Sequence, residues 1–141
     1  MGLGAGTGVF TREIVKRARP DAKILVFEVD PALQELIRAE HPDHPGLKLY
    51  GDAQELCSIM RDEGIEKLDF VISSLPFTVL PHEMSENILN AVQDALSPEG
   101  RFVAYQYSSI MKHTLASRFP SIRTKFVLFN IPPAFVYDCG K

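Results

Sequence analysis

Apolar runs of strand length alternate with helical patterns along this 141-residue chain. Short runs rich in branched and aromatic residues predict strands, and longer stretches with apolar residues three and four positions apart predict helices. This alternation is typical of an α/β fold with a Rossmann-like, open and mostly parallel sheet. The predicted strands are 24–29, 47–50, 68–73 and 101–107, and the predicted helices are 8–18, 53–61, 83–96 and 110–118, with a further helix that begins at Pro31.

The last two predicted strands, 123–130 and 134–139, have no helix between them. They flank Ile131-Pro132-Pro133, and prolines are residues that break regular structure and favour turns. The sequence therefore predicts that the sheet ends in a C-terminal antiparallel hairpin.

A glycine-rich segment, Gly4-Ala5-Gly6-Thr7-Gly8, leads directly into the first predicted helix. Glycines at this position let backbone amides and the positive helix end approach a ligand. Glu28 ends the next strand, where a carboxylate can accept both hydroxyls of a ribose, and Asp52 follows the strand 47–50, where it can hold an adenine amino group. Because ligands bind at the carboxyl ends of strands in such sheets, the three features together predict a nucleoside-containing ligand.

A dinucleotide-binding dehydrogenase is the competing interpretation, because it also carries a ribose-binding acid after its second strand. The glycine spacing distinguishes the two classes. The dinucleotide fingerprint is G-x-G-x-x-G, whereas the glycines here fall as G-x-G-x-G and Val9 stands at the sixth position.

Residues 4–11, Gly-Ala-Gly-Thr-Gly-Val-Phe-Thr, resemble motif I of the class I S-adenosylmethionine-dependent methyltransferases, and Phe27-Glu28-Val29-Asp30-Pro31 resembles their second-strand motif. Nearly the whole chain is similar to the bacterial phospholipid N-methyltransferases and, less closely, to the ribosomal RNA adenine dimethyltransferases. The resemblance implies S-adenosylmethionine as the cofactor and a seven-stranded sheet that ends in a hairpin. It places cofactor binding at Gly4, Ala5, Gly6, Gly8, Glu28, Val29, Asp52, Ala53 and Ser73.

The start of the chain departs from the family pattern. The family has an apolar strand that ends in an acidic residue two positions before the first motif glycine, and Gly2 occupies that position here. We therefore expect a single methyltransferase domain over 1–141 that is truncated at its N-terminus and lacks its first strand. Because that strand would be central to the sheet, we also expect low stability or a homo-oligomer that covers the gap.

Residues 73–77, Ser-Ser-Leu-Pro-Phe, occupy the place of the acceptor loop in this superfamily. Ser74 stands where the adenine dimethyltransferases have Asn, whereas phospholipid N-methyltransferases have a small residue here and also resemble residues 130–137. We predict methylation of a phospholipid head-group amine such as phosphatidylethanolamine, with RNA adenine as the alternative and a noncatalytic cofactor-binding remnant as a third hypothesis. The predicted catalytic residues are Ser74, Pro76, Tyr107 and Phe77, the last through a cation-π contact.

The charge of the chain is asymmetric. Residues 1–100 contain 9 Lys and Arg against 17 Asp and Glu, whereas residues 101–141 contain 6 against 1. A basic C-terminal part predicts contact with phosphate, either on a phospholipid membrane surface or on RNA. The basic residues in question are Arg101, Lys112, Arg118, Arg123 and Lys125.

The sequence predicts a cytoplasmic protein that is peripheral to the inner membrane, because no apolar run approaches the length of about 18 residues that a membrane span needs. We expect no metal ion. Cys57 and Cys139 are the only cysteines and lack the spacing of metal ligands, so we interpret both as reduced, buried thiols.

Overall fold

The computed structural model describes residues 1–130 and 132–141, and these residues contain seven strands and five α-helices. They divide into two compact units, Met1–Ala53 and Gln54–Lys141. Ile131 of the predicted Ile131-Pro132-Pro133 turn lies outside the described residues.

The first unit, Met1–Ala53, alternates strands with helices. Its three strands are parallel and follow the order β3-β2-β1. All four residues of the central strand β2 are buried, which explains why it is a continuous apolar run. The elements are β1 (Gly2–Leu3), α1 (Val9–Arg17), β2 (Ile24–Phe27), α2 (Pro31–Glu40) and β3 (Leu47–Tyr50).

Helix α2 begins where local chemistry requires it. The Asp30 carboxylate accepts a hydrogen bond from the Ala32 N–H at 2.8 Å, and Pro31 occupies the first helical position, where an N–H is not needed. Ile37 of this helix is fully buried and belongs to the same apolar cluster as Val26 of β2. The cap and the packing together fix the segment that follows Glu28.

The second unit, Gln54–Lys141, holds the remaining helices and strands in the order β4-β5-β7-β6. β4 and β5 are parallel, and β7 is antiparallel to both of its neighbours, β5 and β6. After a 3₁₀ turn at Ala53–Glu55, the elements are α3 (Leu56–Asp62), β4 (Leu68–Ser73), α4 (His82–Ala95), β5 (Leu96–Gln106), α5 (Met111–Arg118), β6 (Ser121–Val127) and β7 (Ala134–Gly140).

The start of β5 is irregular. Leu96 lies opposite Leu68 of β4, but the next paired residues are Arg101 and Phe70, so residues 97–100 bulge out of the ladder. These residues, Ser-Pro-Glu-Gly, are of the types that favour turns. The bulge explains why we predicted a strand only from Arg101 onward.

The predicted fold class is confirmed: strands alternate with helices, the first pairings are parallel, and the chain ends in an antiparallel hairpin. The expectation that the first strand is missing needs a correction. Gly2 and Leu3 form a strand of 2 residues that pairs in parallel with Val26 and Phe27 of β2. The sequence could not reveal it, because two residues carry no periodicity.

Candidate active site

The glycine loop, residues 4–8, is anchored at the end of β2. The N–H groups of Gly4 and Ala5 both donate to the Phe27 carbonyl, at 2.9 and 3.1 Å. Gly4, Gly6 and Gly8 all have positive φ angles, of 67°, 55° and 84°. Since L side chains rarely adopt this region, the loop has this path because these positions are glycine.

Glu28 holds the same loop from the other side. Its Oε2 accepts the Gly6 N–H at 2.7 Å, and its Oε1 accepts the Asp30 N–H at 3.0 Å. The side chain is 8% exposed. Each carboxylate oxygen accepts more than one hydrogen bond, so both retain capacity for a further donor such as a ribose hydroxyl.

Gly8 has a packing role as well as a conformational one. A Cβ atom at this position would lie 3.1 Å from Cγ1 of Ile37, so α1 begins in close contact with α2. The ion pair between Arg12 Nε and Glu40 Oε1, at 2.6 Å, joins the same two helices. The glycine loop is therefore braced by the packing of α1 on α2.

Gln34 is a site residue that the sequence reasoning missed. Its amide Nε2 donates to the Glu28 carbonyl at 2.6 Å and to the Tyr50 carbonyl at 3.5 Å, so it joins the ends of β2 and β3. Asp52 is half-buried just beyond β3, and Ala53 after it is buried. A glutamine at the fourth position of a helix carries no sequence signal for this role.

These residues fit an adenosyl cofactor. A Cβ atom added at Gly6 would meet nothing within 4 Å, and the same holds at Gly51. Open space therefore lies beside Gly6, whose N–H bonds to the Glu28 carboxylate, and beside Gly51, which precedes Asp52. Val29 is 73% exposed, so its side chain is accessible to an adenine ring.

The acceptor loop, residues 73–77, lies within the second unit and is tied to the end of β5. Ser73 is fully buried, and its hydroxyl accepts the Leu75 N–H at 3.2 Å. Gln106 is 3% exposed and donates from Nε2 to the Leu75 carbonyl at 2.7 Å and to the Tyr105 carbonyl at 2.8 Å. Sequence reasoning missed Gln106, although a lone amide in an otherwise apolar strand end is a usable signal.

The structure places Phe77 in the core of the second unit. Its side chain is 4% exposed, and its ring contacts Phe102 edge-on with centroids 6.5 Å apart. The buried Ser85 hydroxyl donates to the Phe77 carbonyl at 3.1 Å. In this conformation the ring anchors the loop and is not displayed for a cation-π contact, whereas Pro76 before it is exposed and Ser74 is half-buried.

Tyr107 is 60% exposed and lies beside Tyr105, with ring centroids 5.4 Å apart and nearly perpendicular. Burial, with a smaller effect of Tyr107, raises the pKa of Tyr105 above its usual value. The Tyr105 phenol therefore remains protonated at neutral pH, available as a hydrogen-bond donor rather than as a base.

The predicted basic patch is partly neutralised. Arg101 pairs with Asp138 at 2.7 Å, and Arg118 pairs with Glu86. Among the described residues, Lys112, Arg123 and Lys125 have no such ion pair. Of the five predicted residues, those without an ion pair thus lie on α5 and on the edge strand β6.

Residues 1–130 and 132–141 contain neither a metal-binding cluster nor a membrane-spanning helix. No group of three or more His, Cys, Asp and Glu side chains is arranged to hold a metal ion. None of the described helices combines the length and the apolar character needed to cross a membrane.

A groove of about 450 Å³ in the second unit is lined by none of the predicted site residues; Cys57 and Ile65 belong to its lining.

The fold is that of the class I methyltransferases. It resembles an rRNA methylase from Streptococcus thermophilus with a TM-score of 0.75 and 18% identity, over 99% of this chain and 84% of that one. It also resembles human methyltransferase-like protein 13 in complex with SAH, with a TM-score of 0.75 and 16% identity, over 99% of this chain and 69% of that one. At these identities the likeness shows the fold alone.

The sequence matches no model of a protein family. It is 33% identical over 139 residues to the ornithine lipid N-methyltransferase of Singulisphaera acidiphila, and the match covers 97% of this chain and 72% of that protein. The chain therefore belongs to the same family as that enzyme, within the class I S-adenosylmethionine-dependent methyltransferases.

Proposed function

We propose that this methyltransferase transfers a methyl group to the amine of a membrane lipid head group. The observation that carries the proposal is the 33% identity, over nearly the whole chain, to an enzyme named for N-methylation of ornithine lipid. Phosphatidylethanolamine, the lipid favoured by the resemblance of the acceptor loop, also carries a primary amine in its head group. The proposed substrate class is thus an amine-bearing lipid. We propose that the enzyme works on it as a peripheral protein at the membrane surface.

The first unit is proposed to hold the cofactor. The glycine loop, with Gly4, Ala5, Gly6 and Gly8, approaches it through the backbone, and Glu28 accepts hydrogen bonds from its ribose. Asp52 and Ala53 bind the adenine amino group and ring edge, with Val29 against the ring face. When bound, S-adenosylmethionine supplies a methyl group activated by its sulfonium.

The second unit is proposed to hold the acceptor. Ser73 and Gln106 fix the acceptor loop through the Leu75 amide and carbonyl. Ser74 and the loop carbonyls then accept hydrogen bonds from the lipid amine, and Pro76 limits the motion of the loop. Tyr107, which follows Gln106 in the chain, is proposed as a hydrogen-bond donor. Positioning of this kind raises rates because it replaces a bimolecular encounter by a fixed geometry.

The test is methyl transfer from labelled S-adenosylmethionine by the full chain. Separate reactions contain vesicles with ornithine lipid, vesicles with phosphatidylethanolamine, vesicles of phosphatidylglycerol alone, and ribosomal RNA. We expect label in an amine-bearing lipid and none in phosphatidylglycerol.

Two variants sharpen the assay. Glu28→Ala removes the proposed ribose ligand and should abolish the label, whereas Ser74→Asn restores the amide found in adenine enzymes and should not raise lipid methylation. Label in adenine without any lipid product would establish the RNA alternative, and cofactor binding without any product would establish the noncatalytic one.

A further inference from the structure

The turn between β6 and β7 exposes large apolar side chains to water. Phe129 is 97% exposed and Leu128 is 62% exposed, and we call these two residues the hairpin tip. Phe126, at the end of β6, is 51% exposed, and its ring lies 4.9 Å from that of Phe135. Adjacent exposed apolar side chains gain free energy when they leave water, and such patches mark interaction sites.

The tip is presented by a defined structure. β6 and β7 pair from Ser121 with Gly140 to Val127 with Ala134, so the hairpin is regular up to the residue before the tip. Beyond the tip, the Asn130 side chain donates from Nδ2 to the Pro132 carbonyl at 2.7 Å. The two apolar side chains therefore project from a paired strand and not from an isolated extended segment.

Positive charge flanks the tip. Arg123 and Lys125 lie two positions apart on β6, before Phe126, and neither has an ion-pair partner among the described residues. Residues 101–137 contain no Asp or Glu, and Asp138 is already paired with Arg101. The apolar hairpin tip lies beside cations that have no ion-pair partner. This combination complements a bilayer containing acidic lipids, whose surface is anionic and whose interior is apolar.

We propose that the hairpin tip inserts into the head-group region of an anionic lipid bilayer, with Arg123 and Lys125 at the lipid phosphates. The inference rests on the proposed lipid substrate, and it gives the enzyme a way to reach an amine that does not leave the membrane. It concerns a different part of the chain from the cofactor and acceptor residues.

Two other partners fit the tip less well. RNA recognition uses aromatic stacking together with polar contacts to bases, but Leu128 has no π face and no hydrogen-bonding group. A second copy of the chain could pair along the β6 edge, but Arg123 and Lys125 on that edge are the kind of charges that oppose edge-to-edge pairing. Binding of RNA or of a second copy would be detected in the measurements described next.

The chain contains no tryptophan, so one substitution supplies a unique reporter. In Phe129→Trp, vesicles of phosphatidylethanolamine and phosphatidylglycerol should shift the indole emission to shorter wavelength, and lipids brominated near the head group should quench it. The matched control is Leu36→Trp, an exposed position of α2 in the first unit, whose emission should not change. High salt should weaken the response because the flanking charges are screened.

The second measurement removes the tip. Leu128→Gln combined with Phe129→Gln should lower vesicle partitioning about 100-fold or more, the size expected from two lost apolar side chains. Activity on vesicles should fall with it, whereas activity on a short-chain, water-soluble amine lipid should be retained. Leu36→Gln serves as the control for a polar substitution at an exposed leucine.

The outcomes separate this inference from the proposed function. Vesicle binding by the tip without any methylated lipid would refute the proposed lipid substrate but would still support insertion of the tip. Normal vesicle binding by the double variant would overturn the insertion. An emission change with ribosomal RNA but not with vesicles, or one that depends only on protein concentration, would assign the tip to RNA or to a second copy and overturn it as well.

Discussion

Glu28→Gln keeps the size of the side chain but replaces one acceptor oxygen by an NH₂ group, which cannot accept a hydrogen bond. In the native protein, Oε2 accepts the Gly6 N–H at 2.7 Å and Oε1 accepts the Asp30 N–H at 3.0 Å. Whichever way the new amide turns, one of these two N–H groups faces another donor. The variant therefore perturbs the glycine loop as well as the proposed ribose contact.

The structure gives the size of both effects. A buried N–H left without its acceptor costs about 1 to 3 kcal/mol, and Glu28 is 8% exposed. For a chain of this length the thermal midpoint should fall by roughly 3 to 10 °C. The lost charge should weaken hydrogen bonds from ribose hydroxyls by about 1.5 to 3 kcal/mol, which corresponds to a loss of about 10- to 100-fold in affinity for S-adenosylhomocysteine.

Thermal unfolding and calorimetric titration with S-adenosylhomocysteine measure the two effects separately. Glu35→Gln is the matched control, because it makes the same change of charge on α2 at a side chain that is 72% exposed. We expect the control to keep both values. A Glu28→Gln protein that binds S-adenosylhomocysteine as tightly as the native chain would remove Glu28 from the cofactor site, and an unchanged midpoint would refute its role in holding the loop.

Three further changes test the packing and the loops. Gly8→Ala should lower the free energy of unfolding by about 1 to 2 kcal/mol for its positive φ, and by more than Gly64→Ala in urea denaturation, because only Gly8 also meets Ile37, at 3.1 Å. Burial raises the pKa of Cys139 to about 12, so the neutral thiol contributes fully to the free energy of unfolding below the unfolded pKa of about 8.5, and this contribution is lost as pH rises toward 12. Between pH 8 and pH 10, the free energy of unfolding should therefore fall by about 1 to 2 kcal/mol more in the native chain than in Cys139→Ala. Gln106→Leu leaves the Leu75 carbonyl without its donor, so kcat should fall while affinity for S-adenosylhomocysteine is unchanged; a normal kcat would refute its positioning role.

The sequence predicted those elements whose signals are local. Asp30 followed by Pro31 marks the start of α2 because capping and the fixed proline φ act within three residues. The start of β7 at Ala134 follows from the two prolines before it. In both cases the residues that carry the signal lie at the boundary of the element that they specify.

Contacts between distant residues escaped the sequence reasoning. The Gln106 amide reaches the carbonyl of Leu75, 31 positions earlier; a lone amide marks Gln106 itself, but no local pattern identifies its partner. Whether the Phe77 ring points into the core or into the site depends on Phe102, which belongs to another strand. Cys57 was expected to be buried but is exposed, because it lies on the outer side of α3. Each of these outcomes is decided by tertiary packing.

The hydrogen-bonding inventory of the acceptor loop bears on the choice between lipid and RNA. The edge of adenine offers both a donor and an acceptor, and a side-chain amide matches both, whereas a lipid ammonium or amine is chiefly a donor and needs acceptors. Ser74 supplies a hydroxyl in place of that amide, and the Leu75 carbonyl, already bonded to Gln106, has a second lone pair. Loss of the amide therefore removes a contact that adenine requires and an amine does not. A loop built from carbonyls and a hydroxyl is suited to a head-group amine.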